Sequence, residues 1–187
     1  MDILLLGPPG AGKGTQGALL ARRLDIPKFA TGDLIRDAIA RQTELGRKAK
    51  AVYDSGALVA DDLIMGIVRE ELTKPAAENG VIFDGVVRTI PQAEGVARLL
   101  ADLGRRMDHV LFFDVSDDEI LSRIEKRRGI EGRSDDEPAA VERRLRAYRE
   151  QTAPVLDWYE ARGGVRRVSA MGSVEEIAAR VRNALGG

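Results

Sequence analysis

A glycine-rich segment near the N-terminus carries residue types that bind phosphate groups. Residues 7–15 read GPPGAGKGT and directly follow an apolar run at residues 3–6. Glycines let backbone N–H groups fold around an anion without obstruction from Cβ atoms, and the helix expected next begins with its positive dipole end. Lys13 adds a mobile ammonium group to the same loop. The segment is therefore expected to bind the phosphates of a nucleotide.

The spacing of the glycines and the lysine narrows the class of site. The arrangement G-x-x-x-x-G-K is the P-loop pattern, in which a serine or threonine normally follows the lysine directly. Here Gly14 occupies that position, and the hydroxyl group comes one residue later at Thr15. A strand before the loop and a helix after it favour the phosphate-binding interpretation over a glycine-rich turn that binds nothing.

A carboxylate and an arginine follow a second apolar run, Val81–Asp84. If this run is a parallel strand, Asp84 and Arg88 lie at the edge of the sheet where ligands bind. A carboxylate there can hold Mg²⁺ through the water shell of the ion, although a turn or capping aspartate is the alternative. Phosphoryl transfer needs fixed positive charge around several phosphates, and arginine suits that task.

Four more arginines flank a Gly-rich segment at residues 127–138, which is expected to be an exposed loop between two helices. They are Arg123, Arg127, Arg133 and Arg144. Charge alone leaves two interpretations open, because solvated helical faces are often rich in arginine and many such residues bind nothing.

Alternating strands and helices must position these groups. Apolar runs predict parallel strands at Asp2–Leu6, Val81–Asp84, 110–115 and Val165–Ser169, with Lys28–Ala30 as a fifth. Segments between them repeat apolar residues at helical spacing. This order implies a parallel sheet covered on both faces by helices, with ligands at the carboxyl ends of the strands.

Several other residues that could do chemistry are expected to have structural roles instead. The lone histidine, His109, starts a predicted strand without a nearby nucleophile, and Trp158 and Tyr159 share an apolar helical stripe with Val155. Ser116 with Glu119, and Ser173 with Glu176, have the form of capping boxes at helix starts. We expect packing and capping from these residues.

Composition excludes several classes of protein. The 187 residues fit one domain, and the net charge of -1 gives no support for indiscriminate binding to nucleic acid or to an acidic membrane. The chain has no cysteine, which excludes disulfides and thiolate metal sites. No apolar run reaches the ~20 residues of a membrane span, and the N-terminus starts a strand without a signal-peptide pattern. We expect a soluble, cytoplasmic protein, with a monomer as the default.

The chain resembles the adenylate kinases, nucleoside monophosphate kinases that move a phosphoryl group from ATP to AMP. The resemblance runs nearly end to end and includes the phosphate loop. Its other motifs are TGDLIR at 31–36, GALV at 56–59, Asp84-Gly85, Arg88-Thr89, Gln92, GRSDD at 132–136 and Arg144.

The resemblance implies an α/β, P-loop three-layer fold with a parallel central sheet of about five strands. Residues 1–187 would form a single kinase domain with a small helical NMP-binding lobe at 30–59. A lid at 127–137 would complete the site. It resembles the short form of the family's lid, which cannot hold a metal ion, so no zinc is expected. Binding of both nucleotides should close the lobe and the lid over the site.

For ATP, the resemblance implies that the phosphate loop wraps the phosphates while Lys13 follows the transferred group. Arg123 would lie against the adenine, Arg127 would reach the phosphates, and a backbone carbonyl near Gly172 would contact the adenine. The implied ATP-binding residues are Gly10, Ala11, Gly12, Lys13, Gly14, Thr15, Arg123, Arg127 and Gly172.

For AMP, the resemblance implies a base pocket at Thr31, Gln92 and residues 57–59, with Arg36 and Arg88 on the AMP phosphate. The implied AMP-binding residues are Thr31, Arg36, Ala57, Leu58, Val59, Gly85, Val86, Val87, Arg88, Gln92, Arg133 and Arg144. The implied catalytic residues, which neutralise charge, are Lys13, Arg88, Arg123, Arg133 and Arg144. Asp84 would hold Mg²⁺ through water.

Two prolines typical of the family are missing. The usual G-F-P-R-T reads GVVRT at residues 85–89, and the usual L-V-P-D reads LVAD at 58–61. A cis Val86-Val87 bond would cost ~3 kcal/mol, so a trans bond is predicted. We hypothesise that the two losses loosen AMP binding and lower thermal stability by leaving the unfolded chain less restricted.

The resemblance therefore implies a magnesium-dependent enzyme that converts ATP and AMP into two ADP. A kinase for UMP or CMP is an alternative, although Thr31 and Gln92 favour AMP. A nucleotide sensor that has lost phosphoryl transfer is the other alternative, because a fold and a phosphate loop alone do not prove chemistry. The expected partners are ATP, AMP and ADP, without nucleic acid or membrane.

Overall fold

Five parallel strands form the centre of the molecule. The computed structural model describes residues 1–54, 59–131 and 138–186. The strands are β1 (Asp2–Leu6), β2 (Lys28–Ala30), β3 (Val81–Asp84), β4 (His109–Asp114) and β5 (Val165–Ser169). They are arranged in the order β2-β3-β1-β4-β5, and every neighbouring pair is parallel. The predicted fold class is confirmed.

Helices connect the strands. They are α1 (Lys13–Leu24), α2 (Thr31–Ala40), α3 (Glu44–Asp54), α4 (Asp61–Leu72), α5 (Ile90–Asp102), α6 (Asp117–Glu131), α7 (Pro138–Ala147), α8 (Ala153–Glu160) and α9 (Val174–Leu185). A 3₁₀ turn at Pro75–Ala77 precedes β3, and a π-helical turn at Tyr148–Thr152 joins α7 to α8. Helices α2, α3 and α4 follow β2, and the described residues between β2 and α4 contain no strand.

Alternate residues of the strands enter two separate apolar cores. Leu4, Leu6 and Phe83 pack on one face with residues of α2, α4, α5 and α8. Ile3 and Leu5 point to the other face, against apolar residues of α1 and α9. Burial on both faces explains why β1, β3 and β4 read as nearly continuous apolar runs, whereas β5 at the edge of the sheet exposes Arg166 and Arg167.

Two predicted boundaries shift by a few residues. The strand predicted at 110–115 begins at His109 and ends at Asp114. The loop predicted from residue 127 is wrong over its first residues, because α6 continues to Glu131. Gly129 lies inside that helix, where a glycine lowers stability by about 1 kcal/mol relative to alanine without ending the helix. The remainder of the predicted lid, 132–137, lies outside the described residues.

Capping boxes were predicted at the starts of two helices, and only one of them is complete. At α9, Ser173 and Glu176 form both bonds of a capping box, which confirms that prediction. At α6, the Glu119 N–H donates to Ser116 Oγ at 3.4 Å, but the Glu119 carboxylate accepts from Arg123 Nε at 2.7 Å instead. The second box is therefore only half formed.

A buried ion pair joins β1 to the segment before β4. Arg105 Nε donates to Asp2 Oδ2 at 2.9 Å, and a second bond links the Arg105 guanidinium to Asp2 Oδ1. The same carboxylate accepts from the Val81 N–H at 3.2 Å. Only 3% of the Asp2 side chain is exposed. This network fixes the amino ends of three strands, opposite the edge that carries the phosphate loop.

The residues predicted to be structural are so placed. Tyr159 is buried and makes an edge-to-face contact with Trp158, whose other neighbour is the Arg162 guanidinium at 3.6 Å from the ring. His109 pairs with Ile3 within the sheet. Over the described ranges, no helix has both the length and the apolarity needed to cross a membrane.

Candidate active site

The phosphate loop connects β1 to α1 at the carboxyl edge of the sheet. Gly7, Gly10 and Gly12 have φ values of 139°, 83° and 87°, a region that side chains with Cβ atoms rarely adopt. A Cβ added to Gly7 would lie 2.9 Å from the carbonyl oxygen of Phe113, so the loop packs closely against β4. Helix α1 has no acidic residue in its first turn, which leaves its positive end suited to an anion.

Lys13 lies over this loop. Its Nζ donates to the carbonyl oxygens of Gly7 at 2.7 Å and of Pro8 at 2.8 Å. Burial lowers the pKa of the Lys13 ammonium from 10.5 to about 8. The positive charges of Arg88 and Arg144 contribute to this lowering, whereas the carboxylate of Asp84 opposes it. Four of the residues singled out in the sequence therefore lie within electrostatic reach of one another.

Arg88 lies beside the loop that follows β3. Its Nε donates to the Gly85 carbonyl oxygen at 2.9 Å, which holds the guanidinium against its own turn. Although the side chain keeps an exposed surface, desolvation lowers the pKa of Arg88, and the charge of Arg144 lowers it further. Like charges held near one another favour the binding of an anion between them.

Asp84 ends β3 next to the phosphate loop. Its Oδ2 lies 3.4 Å from Lys28 Nζ, and only 14% of its side chain is exposed. A Cβ added to Gly14 would lie 3.6 Å from the same oxygen, so the carboxylate faces the first turn of α1. Mg²⁺ in nucleotide sites keeps several waters and needs one or two carboxylates beside the phosphates. The position and chemistry of Asp84 fit that pattern.

Among the described residues, no closed cage of protein ligands surrounds the Asp84 carboxylate. Over residues 1–54, 59–131 and 138–186, no three His, Cys, Asp or Glu side chains gather where they could hold a metal ion. An ion that is bound mainly by nucleotide phosphates and water can be held with a single protein carboxylate.

Several of the residues predicted for the acceptor nucleotide lie on two segments, α2 and residues 85–92, which are joined at Gly85. Thr31 Oγ1, at the start of α2, donates to the Gly85 carbonyl oxygen at 2.9 Å. Gln92 is buried in the first turn of α5, and its side chain accepts from the Arg88 N–H at 2.7 Å. Arg36 forms an exposed ion pair with Asp33.

The two valines that replace the usual residues after Gly85 are almost fully buried. Val86 and Val87 are each 1% exposed, and the bond between them is trans, as predicted. Val59 is also buried, at the point where the chain enters α4. Ala60 caps that helix without a side-chain hydrogen bond.

Two arginines of α6 predicted to bind the donor nucleotide, Arg123 at the adenine and Arg127 at the phosphates, lie toward β4 and β5, on the side of the phosphate loop away from β3. Arg123 Nε donates to Glu119, and Arg123 Nη2 donates to the Ala170 carbonyl oxygen at 2.7 Å. A Cβ added to Gly12 would lie 3.7 Å from Arg123 Nη1, so Arg123 lies beside the phosphate loop. Arg127 is half-buried one turn further along α6.

Gly172 lies in the loop between β5 and α9, with φ of 101°. Side chains with a Cβ rarely adopt this φ, and an added Cβ would also crowd Glu176 Oε2, so a larger residue would strain the backbone and displace the capping carboxylate. Around it, other carbonyl oxygens accept internal hydrogen bonds; they belong to Ser169, Ala170, Met171 and Ser173. No hydrogen bond within the described part of the chain engages the Gly172 carbonyl.

Three of the predicted residues, Ala57, Leu58 and Arg133, lie outside the described residues. The sequence also left three contacts of the site unrecognised, namely those of Asp61, Lys28 and Glu176. Asp61 Oδ1 accepts from Gln92 Nε2 at 2.6 Å, across 31 residues of chain. The capping-box motif located Glu176, but no signal in the sequence links it to Gly172.

Comparisons with known proteins agree with this geometry. The sequence profile described as Adenylate kinase matches residues 5–164. Proteins named Adenylate kinase from Gemmatimonas aurantiaca and Thermus thermophilus are 48% and 47% identical to this chain. The first alignment covers 99% of both chains, and the second covers 98% of this chain and 96% of the relative.

A third relative of the same name, from Stenotrophomonas maltophilia, is 45% identical over 97% of each chain. This similarity extends over nearly the whole chain, and it agrees with the phosphate loop, the strand order and the positions of Arg88 and Arg144 near Lys13. The chain therefore belongs to the adenylate kinase family.

Proposed function

We propose that this chain catalyses the reversible transfer of the terminal phosphoryl group of ATP to AMP, giving two molecules of ADP. One observation carries the proposal: at the edge of the sheet that carries the phosphate loop, the positive charges of Arg88 and Arg144 both lower the pKa of Lys13, and the charge of Arg144 also lowers the pKa of Arg88. Three cations at one place are suited to the phosphates of two nucleotides that meet end to end.

The donor nucleotide would lie along the phosphate loop. The loop N–H groups from Gly10 to Thr15 and the positive end of α1 would hold the phosphates, with Lys13 on the transferred group. Arg123 lies beside Gly12 and contacts the loop that contains Gly172, which supports a place for the adenine between them. Arg127 would reach the phosphates from the same helix.

The acceptor nucleotide would lie on the other side of Arg88. Thr31, Gln92 and residues 57–59 would surround the base, while Arg36 and Arg88 bind the AMP phosphate. The backbone of Gly85, Val86 and Val87 would line the path between base and phosphate. Thr31 and Arg88 donate to the same Gly85 carbonyl, which supports a common pocket for their segments.

The chemical step would depend on charge and alignment. The transition state of phosphoryl transfer spreads negative charge over the moving group, and fixed cations stabilise that charge without a covalent intermediate. The positive charges that stabilise the transition state would come from Lys13, Arg88 and Arg144, together with Arg123 and Arg133. Closure of the lobe at 30–59 and the lid at 127–137 would exclude water, which would otherwise accept the phosphoryl group.

The family generally uses Mg²⁺ with ATP, and the surroundings of Asp84 fit the ion. Asp84 would hold Mg²⁺ through its water shell, at the place where the carboxylate faces the first turn of α1. The bound ion would neutralise phosphate charge. We further propose that the protein works as a cytoplasmic monomer on ATP, ADP and AMP.

A coupled assay that detects ADP tests the proposal. The enzyme is supplied with ATP, Mg²⁺ and equal concentrations of AMP, CMP or UMP. We expect turnover with AMP and much weaker turnover with the pyrimidine nucleotides. Preference for CMP or UMP would make the chain a pyrimidine nucleotide kinase, and ATP binding without ADP formation would make it a sensor.

A matched pair of variants tests the role of the charge cluster. Arg144→Met removes the guanidinium near Lys13, whereas Arg146→Met removes an exposed arginine from the same helix, where it pairs with Glu142. Loss of a transition-state cation is expected to lower kcat by about 10²- to 10³-fold, with little effect from the control. Equal effects of both substitutions would contradict the proposed role.

A further inference from the structure

The buried amide of Gln92 is held at both ends by contacts that determine its orientation. Its Oε1 accepts from the Arg88 N–H at 2.7 Å, and its Nε2 donates to Asp61 Oδ1 at 2.6 Å. Only 5% of Gln92 is exposed. These two bonds join the loop after β3, the first turn of α5 and the first turn of α4.

The chemistry of the two partners excludes the flipped amide. A backbone N–H can only donate, so the end of the amide that faces Arg88 must be the oxygen. An ionised carboxylate can only accept, so the end that faces Asp61 must be the NH₂ group. Two internal bonds leave Gln92 with one remaining N–H donor and one remaining acceptor lone pair at Oε1.

One donor beside one acceptor is complementary to the edge of adenine. Adenine presents a ring nitrogen that accepts next to a 6-amino group that donates, and a glutamine amide can bind both. A 6-oxopurine presents an acceptor oxygen where adenine has the amino group. That oxygen would face the acceptor atom of Gln92, and the pair would repel.

We propose that Asp61 is a positioning residue that gives the acceptor site its selectivity for 6-aminopurines over 6-oxopurines. It acts by holding the Gln92 amide in the one orientation that suits adenine. The inference rests on the proposed place of Gln92 in the AMP base pocket. Asp61 does not need to touch the nucleotide.

The location of Asp61 supports this role. It begins α4, where a negative side chain is stabilised by the positive end of the helix. A carboxylate acceptor also gives a stronger hydrogen bond to an amide than a neutral acceptor does. Asp62 is the next residue of the same turn, also exposed and acidic, and Asp61 alone of the two accepts from Gln92.

The experiment compares AMP and IMP as acceptors in wild type and four variants. Asp61→Ala and Asp61→Ser remove the acceptor, and the serine retains a polar group at the helix start while being too short to reach Gln92. Asp61→Asn keeps an oxygen that can accept from Nε2. Asp62→Ala removes an equal charge from the same helix turn and serves as the matched control.

We expect Asp61→Ala and Asp61→Ser to lower the ratio of kcat/KM for AMP to that for IMP by about fivefold or more. The change should appear in KM for AMP, with KM for ATP unchanged. Asp61→Asn and Asp62→Ala should keep the ratio within about twofold of wild type. A purely structural role would instead reduce the active fraction and leave both KM values and the ratio unmoved.

An unchanged ratio in the two Asp61 variants, or an equal loss in Asp62→Ala, would overturn the inference. Failure of the proposed function is a separate outcome, because wild type would then form no ADP from ATP and AMP. A Gln92→Ala variant that retains the wild-type KM for AMP would place the base elsewhere. That result would refute the role of Asp61 while leaving the kinase activity intact.

Discussion

Proton uptake on ATP binding should report directly on Lys13. Burial and the charges of Arg88 and Arg144 lower the pKa of its ammonium to about 8. A polyphosphate beside Lys13 favours the charged form, so binding should raise this pKa again. Each protein molecule whose Lys13 is neutral before ATP binds should therefore take up a proton on binding. Because the fraction of neutral Lys13 grows as the pH rises, the proton uptake should grow with it.

The size of the effect follows from the lowered pKa. With a pKa of about 8, roughly a tenth of the Lys13 side chains are neutral at pH 7, about half at pH 8 and about nine-tenths at pH 9. Those fractions are the upper limits of proton uptake per ATP bound. The terminal phosphate of ATP itself is already ionised above pH 8, so it contributes little in that range.

Isothermal titration calorimetry with ATP in two buffers of different ionisation enthalpy measures the uptake. Wild type should show an uptake that increases from pH 7 to pH 9, and Lys13→Met should abolish the increase. Lys48→Met is the control, because Lys48 is exposed and pairs with Glu44 on α3. Equal uptake in wild type and Lys13→Met at pH 9 would refute the argument.

Three further substitutions test how the site is supported. Ala60→Pro should raise Tm by about 2–4 °C in calorimetry, because φ of -61° already suits proline and the unfolded chain loses freedom; an unchanged or lower Tm would contradict this. Glu176→Ala removes the capping carboxylate and should lower the free energy of unfolding, measured with urea, by about 1 kcal/mol. It should also raise KM for ATP. A similar change of KM in Glu175→Ala would count against a specific role for the capping carboxylate. Arg105→Met should lower the free energy of unfolding by about 3–5 kcal/mol, because it leaves the buried Asp2 carboxylate without its cation. A decrease below about 1 kcal/mol in urea unfolding would show that the ion pair contributes little to stability.

The sheet was largely predictable because its strands carry a strong signal. A strand buried on both faces needs a continuous apolar run, and the run at Asp2–Leu6 has the bounds of β1. The short strand β2 was also found, at Lys28–Ala30. The end of α6 was misplaced, because Gly129 resembles a loop residue in sequence although an exposed glycine is tolerated within a helix.

Some residues of the site could be located from the sequence, and others depend on contacts between distant segments. Lys13 and its glycines act through local geometry, so their spacing in the sequence was sufficient to locate them. The contact between Asp61 and Gln92 depends on how α4 packs against α5, and no spacing rule gives the distance between two side chains 31 residues apart. The same holds for Arg144, whose proximity to Lys13 was implied by resemblance and not by charge pattern.

The backbone at the two positions where the family usually has proline is regular in this chain. Val87 is buried and joined to Val86 by a trans bond, and Ala60 still caps α4 with the backbone angles of an extended residue. The hypothesis that these losses loosen AMP binding stays a prediction. Val87→Pro with unchanged Tm and unchanged KM for AMP would count against it.

A crystal structure with two adenosines joined by five phosphates tests the central claim most directly. The compound occupies donor and acceptor sites at once, so it should bind much more tightly than ATP or AMP alone. We predict that Lys13, Arg88 and Arg144 all contact its phosphate chain, with one adenine near Gly172 and the other near Gln92. A bound compound whose phosphates lie away from these three cations would contradict the account.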